Sequence, residues 1–174
     1  MEELKMGIIK AFCGLNGYKD EECVRDVLNY AIGSKFFYEL VSGNIEGDPG
    51  NVYAVSEQFK RIQDVRKDME HKTKLHHFVL SVAEDDMSEN AIGDLMRVVK
   101  DYFVKRNFQV VVIKHYASEG LVYNPHLHVI VNHCNLKGSL FYGNDQAYYD
   151  LKAYLNRATH RKWRFIYARE SDYE

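Results

Sequence analysis

The sequence has no long apolar run, few cysteines and no excess of positive charge. No stretch approaches the roughly 20 apolar residues that span a bilayer, and residues 1–12 lack the apolar run and cleavage site of a secretory signal. We therefore expect a cytoplasmic protein without membrane insertion. The three cysteines form no CxxC pair, and their odd number argues against a disulfide-stapled secreted domain.

The net charge is −2, whereas nucleic-acid-binding proteins usually carry an excess of Lys and Arg. The charge is unevenly distributed, however. Residues 151–169 contain six basic residues and no acidic one, while acidic residues concentrate near the N-terminus and in 84–89. A phosphate-binding surface and a solvated basic face are both compatible with this pattern. Arg161 and Lys162 are the DNA-binding candidates in this segment.

The composition is that of a soluble globular protein, with 46% hydrophobic and 28% charged residues in a chain of 174. No internal repeat or low-complexity segment is present, and the loop-rich stretch 42–51 resembles a connection more than a domain boundary. We expect one domain over residues 1–174, which can be the N-terminal catalytic part of a longer protein.

Hydrophobic periodicity predicts five strands and four helices. The predicted strands cover residues 5–12, 75–82, 108–115, 127–132 and 163–167. The predicted helices cover residues 20–32, 52–70, 88–106 with Ser88 as N-cap, and 146–158.

The strands 108–115 and 127–132 show the clearest pattern. About ten residues join them, too few for a parallel crossover through a helix, so they should form an antiparallel hairpin. The predicted fold class is therefore α+β: a two-layer sandwich whose central antiparallel sheet carries helices packed on it.

Three histidines fall where this hairpin can gather them. His115 ends the first strand, and His126 and His128 begin the second. Alternation places His126 and His128 on one face, and His115 joins them if it pairs opposite either one. Three neutral imidazoles suit Zn, Mn, Fe or a similar divalent ion, and they leave open positions for substrate oxygens.

Three segments together resemble the HUH endonuclease superfamily, especially the relaxases that mobilise plasmids and transposons. The histidine-hydrophobic-histidine motif is HLHVIVN at 126–132, preceded by His115. HFVLSV at 77–82 is similar to the relaxase strand that ends in a DNA-contacting serine, here Ser81. VLNYAI at 27–32 is similar to the early helix that bears the catalytic tyrosine, here Tyr30.

The resemblance implies DNA nicking and rejoining at a transfer origin, through a 5′-phosphotyrosine intermediate, during conjugative mobilisation. It implies one divalent metal ion, Mg or Mn first, with Zn, Co and Ni as alternatives. Single-stranded DNA would be the substrate, and accessory DNA-binding proteins and a type IV coupling protein would be partners. One departure concerns His115, because only Glu119 in the following loop could supply the acidic residue that many relaxases place there.

Tyr30 also has support from helix geometry. It lies roughly 110° from the centre of the apolar stripe of its helix, so its ring can pack while its hydroxyl reaches outward. Tyr18 and Tyr38 are the fallback candidates. Ser81 shares a strand face with His77, and Asn132 shares the face of His126, so both are candidates to contact DNA.

Three alternatives stay open. HUH replication initiators and transposases use the same metal and tyrosine, but their tyrosine generally follows the histidine motif, whereas Tyr30 precedes His115 by about 85 residues. An inactive DNA-binding accessory module would keep the fold without the activity. A metallohydrolase acting through bound water would leave no covalent adduct.

Overall fold

The computed structural model describes residues 5–14, 16–69, 72–82, 89–120, 124–169 and 172. Within these residues, six strands and four helices follow one another: β1 Met6–Phe12, α1 Cys23–Ile32, β2 Phe37–Gly43, α2 Val52–Gln63, β3 Leu75–Val82, α3 Glu89–Val104, β4 Val110–His115, β5 His126–Asn132, α4 Asp145–Thr159 and β6 Lys162–Tyr167.

The six strands form one sheet in the order β2-β4-β5-β3-β1-β6. All neighbouring strands are antiparallel except β1 and β6, which are parallel. The predicted hairpin of β4 and β5 is confirmed and lies inside the sheet, between β2 and β3. The α+β sandwich predicted from the sequence is therefore confirmed.

Helices cover both faces of this sheet, so the described residues form three layers rather than the two expected, because both sheet faces carry buried apolar residues. On one face α3 and α4 pack over alternate strand residues such as Val112 and Val129. On the other face α1 and α2 pack over Val111, Ile113 and Ile130. The helices cover the second face only in part, and Met6 and Ile8 of β1 remain 43% and 36% exposed there. The three histidines of the hairpin lie where the helices α1 and α2 stop covering this face.

The apolar stripe that predicted α1 becomes its buried side. Val24, Leu28 and Ala31 are buried, and the helix ends where Gly33 donates its N–H to the Asn29 carbonyl. The predicted start at residue 20 is three residues early, because residues 20–22 form a turn whose Asp20 carbonyl accepts the N–H of Cys23.

The structure differs from the sequence-based expectation in two further elements. Helix α2 ends at Gln63 rather than at residue 70, since Arg66 turns back and its side chain pairs with Asp68 and the Gly138 carbonyl. Strand β2 was not predicted, because this edge strand is largely half-buried or exposed and alternates weakly. The proposed N-cap Ser88 lies outside the described residues.

No helix in the described part of the chain combines the length and the apolar character needed to cross a bilayer.

Candidate metal centre and active-site cleft

The three histidines of the hairpin converge at one end of the sheet. His115 pairs directly with His126 across β4 and β5, so their side chains point to the same face, and His128 follows two residues later. One ligand nitrogen from each ring lies within 4.8 Å of the others. This is the convergence that the sequence predicted.

Each of the three rings is held by a hydrogen bond on one nitrogen, and within the described part of the chain the other nitrogen has no hydrogen-bond partner. His115 Nε2 lies 2.7 Å from the Ala31 carbonyl, and His126 Nδ1 lies 2.8 Å from the Asn124 carbonyl. His128 Nδ1 lies 2.9 Å from Nε2 of His77. Such bonds fix the tautomer and the ring direction of metal-binding histidines.

The orienting partner of His115 is therefore a backbone carbonyl and not an acid. Glu119 instead forms an ion pair with Lys35 at 2.8 Å, and both side chains are exposed at the rim of the cleft. Ala31, which accepts from His115, directly follows Tyr30 in helix α1. The helix of the candidate nucleophile thus contacts a candidate metal ligand.

Burial sets the protonation of these imidazoles. Desolvation lowers the pKa of His115, His126 and His128, and neighbouring histidines lower that of His128 further. Burial also lowers the pKa of His77 to about 4. Neutral imidazole is the form that binds a metal ion, so the residues present fit a divalent cation.

A cleft of about 680 Å³ opens over His115, His126 and His128, called the triad from here on. Tyr30 lines it with 67% of its surface exposed, and its ring meets that of His128 edge-on, with centroids 6.1 Å apart. Ser81 also lines the cleft and pairs with His126 across β3 and β5. The structure therefore brings Tyr30, Ser81 and the triad together.

The two fallback tyrosines differ in position. Tyr18 lines a smaller cavity of about 330 Å³ together with Tyr30, His77 and His128, and its hydroxyl lies 3.4 Å from Nδ1 of His77. Tyr38 lies under the ammonium of Lys114, 4.4 Å from the ring centroid, and is not among the described residues that line the cleft.

Asn132 is not brought to the site. It is fully buried, and its amide accepts from Gln63 and donates to Gln109, both at 2.8 Å, and also bonds backbone groups. The shared strand face was correct, but Asn132 lies at the far end of β5, beneath α2. Its side chain joins β5 to its neighbours and has no access to DNA in this structure.

The two basic candidates are separated. Arg161 lies in a surface cleft beside α3, with Asp94 and Arg97. Lys162 begins β6 and pairs with Met6, which puts it on the sheet face of the triad.

Sequence reasoning missed two cations on the triad's face. Lys10 lines the cleft and lies 3.3 Å from Asp172. Arg164 is exposed on β6 and belongs to a row of paired residues that starts at His126 and crosses the sheet through Ser81 and Ile8. Alternation within residues 6–12 and 162–167 was the available signal, but it indicates a face only once the strand order is known.

A family model described as "Relaxase: MobA/VirD2-like, nuclease domain" matches residues 34–162, about three quarters of the chain. The matched segment contains the three histidines and Ser81, and it begins after Tyr30. No curated protein matches the chain.

Proposed function

Because the chain belongs to the relaxase family, through a nuclease domain of the MobA/VirD2-like type, we propose that it nicks and rejoins one DNA strand at a transfer origin. The family acts on single-stranded DNA and is metal-dependent. The cut would be specific for site and strand and would serve conjugative mobilisation.

One observation carries this proposal: an exposed tyrosine faces a histidine triad inside one cleft. The hydroxyl of Tyr30 is accessible to substrate, while its ring rests against His128. The contact between His115 and the Ala31 carbonyl fixes the helix end that carries Tyr30. A phosphate in the cleft would therefore have the nucleophile on one side and the triad on another.

The proposed reaction exchanges one phosphoester for another. The Tyr30 oxygen attacks phosphorus and loses its proton, the bond from phosphorus to the DNA 3′ oxygen breaks, and that oxygen takes up a proton. The products are a 5′-phosphotyrosine and a free 3′-hydroxyl, so the step can be reversed for rejoining. A divalent ion held by the three histidines would supply Lewis-acid polarisation of the phosphate.

Other residues of the cleft would bind the substrate. The Ser81 hydroxyl can donate to a phosphate oxygen beside the triad, and the Lys10 ammonium on the neighbouring strand adds positive charge. The row from His126 to Arg164 covers three strand spacings, roughly 14 Å. A single strand would cross the sheet along this row, with Lys162 and Arg164 contacting phosphates at its edge.

The decisive test is the covalent adduct. Wild-type protein and Tyr30→Phe are incubated with Mn²⁺ and labelled single-stranded oligonucleotides from the transfer origin of the protein's own genetic element. Tyr30→Phe should bind DNA normally and lose adduct formation by at least about a thousandfold, because only the attacking atom is removed. Mass spectrometry of the wild-type adduct should locate the linkage on Tyr30.

Tyr53→Phe is the matched control, since Tyr53 is 63% exposed on α2 and is not among the described residues lining the cleft. This variant should form the adduct at the wild-type rate. Full adduct formation by Tyr30→Phe would move the nucleophile to Tyr18 or Tyr38. Cleavage without any adduct would favour a water-using metallonuclease, and binding without cleavage would favour an accessory module.

A further inference from the structure

His77 lies next to the triad, on the adjacent strand β3 and on the same face of the sheet. It is 5% exposed, and its Nε2 lies 2.9 Å from Nδ1 of His128. Its ring stacks on Phe12 with centroids 5.0 Å apart and an interplanar angle of 19°. On its other side, Nδ1 lies 3.4 Å from the hydroxyl of Tyr18. His77 therefore has a contact on each nitrogen and on its ring face.

The direction of these hydrogen bonds follows from the chemistry of His128. Its Nδ1 is engaged with His77, so Nε2 is the nitrogen left for a cation. A neutral imidazole that gives the lone pair of Nε2 must carry its proton on Nδ1. His128 then donates to Nε2 of His77, and the proton of His77 sits on Nδ1, towards the Tyr18 oxygen.

We propose that His77 is a positioning residue that fixes the tautomer and ring direction of His128, with Tyr18 closing the chain. The role of His77 in metal binding rests on the proposed function, because it requires the triad to hold a cation. Histidine ligands commonly use a carboxylate or a carbonyl for this purpose. Here a second imidazole occupies that place, and in the described part of the chain no carboxylate bonds the triad.

The test measures metal affinity and not cleavage. Co²⁺ and Mn²⁺ are titrated into the purified protein by calorimetry, and the visible absorption of bound Co²⁺ reports the ligand geometry. His77→Phe keeps the ring stack on Phe12 but loses the acceptor, and it should weaken affinity about 10- to 100-fold and alter the Co²⁺ spectrum. His77→Gln places an amide oxygen near the position of Nε2 and should restore affinity to within about threefold.

His76→Phe is the matched control. His76 is the adjacent residue on β3, faces the opposite side, and is likewise bonded to a histidine, His133, at 2.8 Å. This variant should bind Co²⁺ like the wild type. Tyr18→Phe removes only the terminal hydroxyl and should weaken affinity by a few-fold; together with His77→Gln, it decides the outcome if His77→Phe does not fold.

The outcomes separate the two proposals. Wild-type affinity in a folded His77→Phe, or equal losses in the Phe and Gln variants, would overturn the positioning role, because the hydrogen bond would then not be the cause. His126→Ala is run in parallel. If it loses the metal while His77→Phe keeps it, only this inference fails. If His126→Ala also binds normally, the metal centre of the proposed function fails with it.

Discussion

Strand β3 carries two adjacent histidines on opposite faces, and each is hydrogen-bonded to another histidine. The pair His76 and His133 is joined at 2.8 Å, and the pair His77 and His128 at 2.9 Å. Burial lowers the pKa in both pairs, to about 3 for His76 and about 4 for His77. The two pairs look alike by chemistry but differ in their surroundings.

The pair of His76 and His133 is packed tightly by its neighbours and is called the closed pair below. The ring of His76 meets Phe141 edge-on at 4.9 Å, and Gly143 lies so near that a Cβ there would collide with the imidazole. The His77 pair instead adjoins two more imidazoles with free nitrogens and a cleft of about 680 Å³. Buried, neutral histidines therefore do not by themselves indicate a site; free nitrogens that share one point and have access to substrate do.

The largest expected difference is between His128→Ala and His133→Ala. Loss of a ligand should weaken Co²⁺ affinity at least about a hundredfold in His128→Ala, whereas His133→Ala should bind Co²⁺ normally. His133→Ala should lower the free energy of unfolding by about 1–3 kcal/mol, because His76 loses its buried partner. Calorimetric titration and urea unfolding measure the two effects. Equal losses of affinity in both variants would remove the distinction between the pairs.

A second comparison is between the triad and Asn132, which is buried at the other end of β5. Asn132→Ala should lower the free energy of unfolding by about 1–3 kcal/mol, because Gln63 and Gln109 lose buried hydrogen bonds. The affinity of the folded variant for single-stranded DNA should be unchanged. Filter binding at a temperature below unfolding checks this. Weak DNA binding at wild-type stability would return Asn132 to the site.

The closed pair should also shape the pH dependence of stability. Because the pKa of His76 is lowered on folding, the unfolded chain binds more protons, so stability is fully present above pH 6.5 and falls as the pH drops towards 3. Between pH 7.5 and 5.5, His76 should account for roughly 1–1.5 kcal/mol. Urea titrations of His76→Gln across this range should give a flatter profile than the wild type. An identical slope would mean that His76 contributes nothing to it.

The smallest expected effect is at the edge strand β6, on the sheet face of the triad. The double variant Lys162→Ala/Arg164→Ala should reduce the slope of log affinity against log salt by about 1.4, at about 0.7 for each lost phosphate contact with a single strand. Arg161→Ala should change it less, since Arg161 lies in a different cleft beside α3. Fluorescence anisotropy at several salt concentrations separates them. A larger effect from Arg161 would place the DNA on the α3 side.

Local patterns were sufficient for the hairpin and its histidines. The ten-residue connection predicted the hairpin, and the period of two along a strand put His126 and His128 on one face, whereas His115 joined them only on the condition of a register that the structure supplies. The same alternation placed Ser81 correctly and put Asn132 on the right face. It could not tell that α2 buries Asn132, because alternation gives the side of a sheet and not what covers it.

The sequence was enough to predict the antiparallel hairpin, the histidine pattern and the likeness to relaxases, because short motifs and their spacing along the chain carry them. What orients the three imidazoles depends instead on contacts between residues far apart in the chain. The Ala31 carbonyl that holds His115 lies 84 residues away in sequence, and His77, which holds His128, lies 51 residues away. The separation of Arg161 from Lys162 and the row from His126 to Arg164 likewise follow from strand order, which no local pattern encodes.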